Sequence, residues 1–122
     1  MGQKGLSSFQ QLKVWKKAHR LVLRVYELTG KYPKDERYGL VSQMRRAAVS
    51  VPANIAEGFK RRSPREKTRF YNIAEGSLEE LKYFFILSRD LGYLNTNQDE
   101  LSQADEIGCM LHGLIASTER RI

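Results

Sequence analysis

A chain of 122 residues with 41% hydrophobic and 29% charged side chains amounts to one domain, long enough to bury a core without disulfides or metal and too apolar for disorder. Its apolar runs, such as Tyr83 to Ser88, are far short of a membrane span, and the first twenty residues lack the apolar core of a signal peptide, so the expectation is a cytoplasmic protein with no membrane contact. Twenty-one Lys and Arg against 14 Asp and Glu give a net charge of +7, split into 17 basic and 5 acidic residues before position 75 and 4 and 9 from there on; that excess suits either an anionic partner or simple solubility.

Residues 1–8 carry no periodicity and read as a loose arm, with the domain occupying 9–122. Ser8 followed by Gln11 makes a capping box, and Leu12, Trp15, Ala18, Val22, Val25 and Thr29, joined by Leu21 and Leu28, then hold one face. This predicts a first helix over 9–30, stopped by Gly30 and Pro33. Asp35 suits the N-cap of a second helix that ends near Lys60. Leu40, Met44, Ala47, Val51, Ile55 and Phe59 form its apolar stripe, and Ala47, Ala48, Ser50, Ala53, Ala56 and Gly58 allow close backbone approach. Pro52 must kink or break it; the apolar residues stay in phase on both sides, which favours a kinked, continuous helix. Arg46, Ser50, Asn54 and Glu57, continued by Arg61, form a second, polar stripe. It reads either as a solvated face or as a hydrogen-bonded seam against another subunit.

Ser63-Pro64-Arg65-Glu66 combines an N-cap serine, proline at the first helical position and glutamate at the third, and so opens a third helix. Phe70, Ile73, Ala74, Ser77, Leu78, Leu81, Phe84, Phe85 and Leu91 are its expected buried face, and Gly92 its left-handed stop. The sequence NIAEG occurs at both 54–58 and 72–76, an offset too short for a repeat unit, and is read as coincidence. Asn95, Thr96 or Asn97 caps a fourth helix whose stripe is Leu101, Ala104, Ile107, Met110, Leu111, Leu114, Ile115 and Thr118, with Cys109 expected as a small buried apolar side chain. Four amphipathic helices with short connections predict an all-α fold, an antiparallel up-down-up-down four-helix bundle.

Chemistry is sparse. His19 and His112 flank no carboxylate at metal-ligand spacing, no Glu-x-x-His pair occurs, and no Gly-rich loop follows a strand. The reading is a protein without catalytic, metal or cofactor residues. Glu75, Glu79 and Glu80 read as a solvated face. Tyr71 near Arg69 and Tyr26 near Arg24 could stack on bases, though helical phase favours their partial burial.

Topology and charge together give a sharper expectation. In such a bundle the start of helix one, the end of helix two, the start of helix three and the end of helix four meet at one end. Lys4, Lys13, Lys16, Lys17, Arg20, Lys60, Arg61, Arg62, Arg65, Lys67, Arg69, Arg120 and Arg121 lie there against Glu57, Glu66 and Glu119, a local charge of +10, whereas the rest of the chain sums to −3. These residues, Lys4 apart, are the candidate nucleic-acid contacts, made to phosphate rather than to bases.

The stretch 38–63, YGLVSQMRRAAVSVPANIAEGFKRRS, together with Leu12-Lys13-Val14-Trp15 and Ala18, Tyr32-Pro33, Ser63 with Glu66, Ile73-Ala74-Glu75-Gly76-Ser77-Leu78 with Glu80-Leu81, and Leu91-Gly92-Tyr93-Leu94, resembles a family of small bacterial proteins encoded in the intervening sequences of 23S ribosomal RNA genes. The resemblance implies a four-helix bundle, assembly as a homopentamer, and no established activity. Related bundles serve as accessory factors beside the reverse transcriptase of diversity-generating retroelements, which suggests RNA or an RNA/DNA hybrid as partner. The alternative is a protein-interaction scaffold whose basic surface meets an acidic protein.

Overall fold

The computed structural model describes residues 8–122. Four helices carry the fold: α1 (Lys13–Thr29), α2 (Leu40–Lys60), α3 (Pro64–Asp90) and α4 (Gln98–Glu119), with single 3-10 turns at Phe9–Gln11 and Lys34–Glu36 and no strand among the described residues. Cross-helix contacts fix the directions. Lys17 pairs with Glu106 and Arg24 with Glu100, so α4 descends as α1 rises. Arg45 donates to Thr29, Ser50 bonds to Ser77 while Lys67 reaches Phe59, and Lys82 pairs with Asp105 while Asn97 reaches Phe85. Each neighbouring pair is therefore antiparallel.

The local signals act much as expected, with shifts at the helix starts. The Ser8–Gln11 capping box forms, but it caps the 3-10 turn; Leu12 is extended, at φ −72° and ψ 128°, and α1 begins only at Lys13. Asp35 is not a cap, because the turn after Pro33 takes it up. Glu36 does that work instead, its Oε1 accepting from the Leu40 N–H at 3.3 Å. Ser63 Oγ accepts from the Glu66 N–H at 3.1 Å, with Pro64 opening α3. Gly92, at φ +82°, ends α3 with Tyr93 N–H bonded back to the Ser88 carbonyl. At the head of α4 the side-chain acceptor is Thr96, for the Gln98 N–H, while Asn97 donates to the Phe85 carbonyl. α2 runs unbroken through Pro52, which is buried.

Val25, Met44, Ile55, Ala74, Phe85, Ala104 and Leu111 are wholly shielded at the centre of the core. Of the expected core residues, Phe59 and Phe70 are only partly buried, beneath the cations of the basic connection, and three more are exposed. Ile73 and Leu91 are exposed, because the buried row of α3 runs through Tyr71, Ala74, Leu78, Leu81, Phe85 and Ser88. Cys109 is exposed as well, since the row Ala104, Ile107, Leu111, Ile115 of α4 leaves position 109 on the opposite side.

Candidate functional site

The basic residues collect where α2 ends, α3 begins and α4 ends. Six of them, Lys60, Arg61, Arg62, Arg65, Lys67 and Arg69, fall within ten residues around one tight connection. The end of α4 closes on it: the Arg121 charge is felt by both Lys67 and Tyr71.

These cations are not equivalent. Lys67 is partly buried, and its Nζ donates to the carbonyls of Phe59 at 2.8 Å and Gly58 at 3.3 Å. It thereby caps α2. Burial, and then the Arg121 charge, hold its ammonium below the usual lysine range. Arg61 is held by Glu57 at 3.0 Å and Arg69 by Glu66 at 3.4 Å, and both guanidiniums pack over the ring of Phe70, at 4.7 and 4.5 Å. Lys60, Arg62, Arg65, Arg120 and Arg121 are exposed and pair with no carboxylate among the described residues.

The basic residues of α1 lie elsewhere. Lys17 pairs with Glu106 at 3.3 Å, a position midway along α4 and about 20 Å from Arg120 at the helical rise per residue. Lys13, Lys16, Lys17 and Arg20 thus run up the flank of the bundle, with Lys13 nearest the basic end. Lys4 lies outside the described residues.

The polar stripe of α2 divides in two. Ser50 Oγ shares a 2.7 Å hydrogen bond with Ser77 Oγ of α3, and Asn54 Nδ2 donates to the Ser50 carbonyl and hydroxyl. These bonds lie within the chain. Arg46 and Glu57 are exposed.

A second feature lies on the outer side of α2, where a groove is lined by Tyr26, Arg37, Tyr38, Arg45 and Arg46 with no carboxylate in its walls. Tyr38 is 88% exposed. The Arg45 guanidinium lies 4.4 Å from the centre of the Tyr26 ring, and its Nε donates to Thr29 Oγ1 at 3.0 Å. Summing charge by bundle end hides this cluster. Spacing reveals only its α2 part, because positions 42, 45, 46 and 49 share one face of that helix; Tyr38 stands in the turn before α2 and Tyr26 comes from α1.

Among the described residues no group of three His, Cys, Asp or Glu side chains could hold a metal ion, and no helix is long and apolar enough to cross a membrane. His19 stacks flat on Trp15, ring centres 5.1 Å apart.

The sequence pattern described as 23S rRNA-intervening sequence protein matches residues 10–113. A crystal structure of a protein of unknown function from the S23 ribosomal protein family of Bacteroides thetaiotaomicron shares the fold, with a TM-score of 0.77, 23% identity, and coverage of 84% of this chain and 95% of that one. No curated protein matches the chain.

Proposed function

The chain belongs to the 23S rRNA-intervening sequence protein family, and we propose that it is a non-enzymatic, cytoplasmic nucleic-acid-binding accessory protein that holds phosphate backbone against the basic end of its bundle. The observation that carries this reading is the group of five exposed, carboxylate-free cations, Lys60, Arg62, Arg65, Arg120 and Arg121, gathered where α2, α3 and α4 meet. Neighbouring side chains are rigid supports: Lys67 ties α2 to α3, and Arg61 and Arg69 brace Phe70. Cations fixed on helix ends attract phosphate without selecting a base.

Assembly as a homopentamer is part of the proposal and rests on the family resemblance. In a ring of parallel copies the basic ends would lie on one side as a continuous positive surface, and the exposed Arg46 and Glu57 of α2 are the stripe residues left to meet a neighbour. RNA, or an RNA/DNA hybrid presented by a reverse transcriptase, is the partner such a surface suits.

The test reverses charge at the two ends. Lys60→Glu with Arg62→Glu and Arg65→Glu weakens RNA binding steeply, whereas Lys34→Glu with Arg89→Glu, both exposed at the far end, leaves it within about twofold. Equal effects from both sets, or none from either, would transfer the reading to a protein-interaction scaffold.

A further inference from the structure

We propose that the groove on the outer side of α2 binds single-stranded nucleic acid, with bases stacked on Tyr26 and Tyr38 and phosphates against Arg37 and Arg45. The inference extends the nucleic-acid reading from the end of the bundle to its side, and rests on it.

Two tyrosines stand open in this groove, Tyr38 88% exposed and Tyr26 44%. Large aromatic surface left in water beside cations is what a base needs, since stacking offers sequence-tolerant attachment to any exposed π-face. Positive charge predominates. No acidic residue lines the groove itself, Glu80 standing in the adjoining depression that shares Tyr38 and Arg46, and Arg37 and Arg45 have no carboxylate partner among the described residues. Arg45 is held in advance, clamped by Thr29 and by the Tyr26 ring, so little side-chain freedom remains to be lost on binding. Arg37 packs 5.6 Å from the centre of the Tyr38 ring, giving a second ring-and-cation pair in the groove's lining.

Alternating ring and cation matches a single strand, in which base and phosphate alternate and the bases are free to splay onto aromatic side chains. A duplex cannot use it, because its bases are already stacked. The part of α2 that lines the groove, from Val41 to Asn54, extends about 20 Å along the helix, room for a short single-stranded segment. The competing occupant is a second copy of this chain, for Arg46 lines the groove and belongs to the proposed subunit contact.

The experiment measures binding of an unstructured single-stranded RNA, the DNA strand of the same sequence and the RNA duplex to the full chain, together with its sedimentation. The variants are Tyr38→Ser, Arg37→Ser and the basic-end triple reversal. Tyr38 and Arg37 are exposed, so folding should be untouched, and circular dichroism checks it. The expected result is about a tenfold loss of single-strand affinity for Tyr38→Ser, in line with base–aromatic stacking, a smaller loss for Arg37→Ser, duplex binding within about twofold, and unchanged sedimentation. Either strand chemistry satisfies the inference. Unchanged single-strand affinity overturns it, and a shift in sedimentation without loss of binding assigns the groove to a second copy instead. If the triple reversal leaves all binding intact while Tyr38→Ser weakens it, the groove stands and the basic-end reading falls; if the unmodified protein binds none of the three probes, both fall.

Discussion

Gly58 lies against the ring of Tyr71 so closely that a Cβ at position 58 would sit 2.5 Å from Tyr71 Cε1 and 3.1 Å from the Lys67 carbonyl oxygen. The ring cannot retreat, because Tyr71 is 2% exposed in the core. This is where α2 and α3 come together just before the basic connection, and it is the position at which the small-residue run of α2 is required sterically. Gly58→Ala is expected to destabilise the fold by about 1–2 kcal/mol, the cost of overpacking less the helix-propensity gain of alanine. Chemical denaturation measures it, and a variant as stable as the parent would refute the contact.

Ser63 carries the N-cap of α3, its Oγ accepting from the Glu66 N–H at 3.1 Å. Ser63→Ala should lower stability by about 1 kcal/mol. Ser63→Asp should restore it, since a carboxylate can accept the same bond and also suits the helix N-terminus. A denaturation midpoint unmoved by the alanine change would remove the cap from the account.

Alkaline pH probes the far end. The Tyr93 hydroxyl donates to Glu36 Oε2 at 2.7 Å, and this bond, then burial, raises its pKa above the ordinary phenol value. Burial does the same for Tyr32 and Tyr71. A group whose folded pKa is raised contributes stability that is whole below the unfolded value, about 10 for tyrosine, and is lost as pH rises through the folded one. The ultraviolet titration of the folded protein should therefore show a late-ionising class of phenols that Tyr93→Phe diminishes. A titration in which that variant loses amplitude only from the early class would contradict the Tyr93–Glu36 bond.

Glu100 is buried, its side chain 4% exposed, and its ion pair is with Arg24 at 3.1 Å. Removing Arg24 leaves that carboxylate without its cation, so Arg24→Ala should cost about 1–3 kcal/mol, moderated because the arginine is partly exposed. Glu100→Gln in the Arg24→Ala background should recover part of the loss. Strict additivity of the two changes in a double-mutant cycle would show that the pair is not coupled.

How far the sequence could be read depended on whether a feature was local. The Ser63–Pro64–Glu66 start and the Gly92 stop are complete within a few residues, and both form as the sequence indicates. Helical phase located most of the core and the antiparallel order followed from short connections. Where the phase can be drawn two ways it misleads: Ile73 lies off the buried row that runs through Tyr71, Ala74 and Leu78, and Leu91 lies past the last residue of α3, Asp90. The charge pattern picks out the basic residues around the α2–α3 connection and the end of α4, but it also counts Lys16, Lys17 and Arg20 of α1, which lie along the flank, and it says nothing about the company each one keeps. That Lys67 caps α2, that Lys17 meets Glu106 partway along the flank, and that Arg45 lies over Tyr26 all depend on the register between helices. The sequence does not print that register. The α2 groove depends on the same register, since Tyr26 comes from α1 and the rest from α2 and the turn before it.

The most direct test of the basic-end surface is the salt dependence of RNA binding, measured for the unmodified protein and for the Lys60→Glu, Arg62→Glu, Arg65→Glu variant. Each phosphate neutralised contributes about 0.7–0.9 to the slope of log affinity against log salt. The account expects affinity to fall steeply with salt in the unmodified protein, and the slope to be shallower by about 2 or more in the variant. A binding affinity indifferent to salt, or an identical slope in the two proteins, would contradict it.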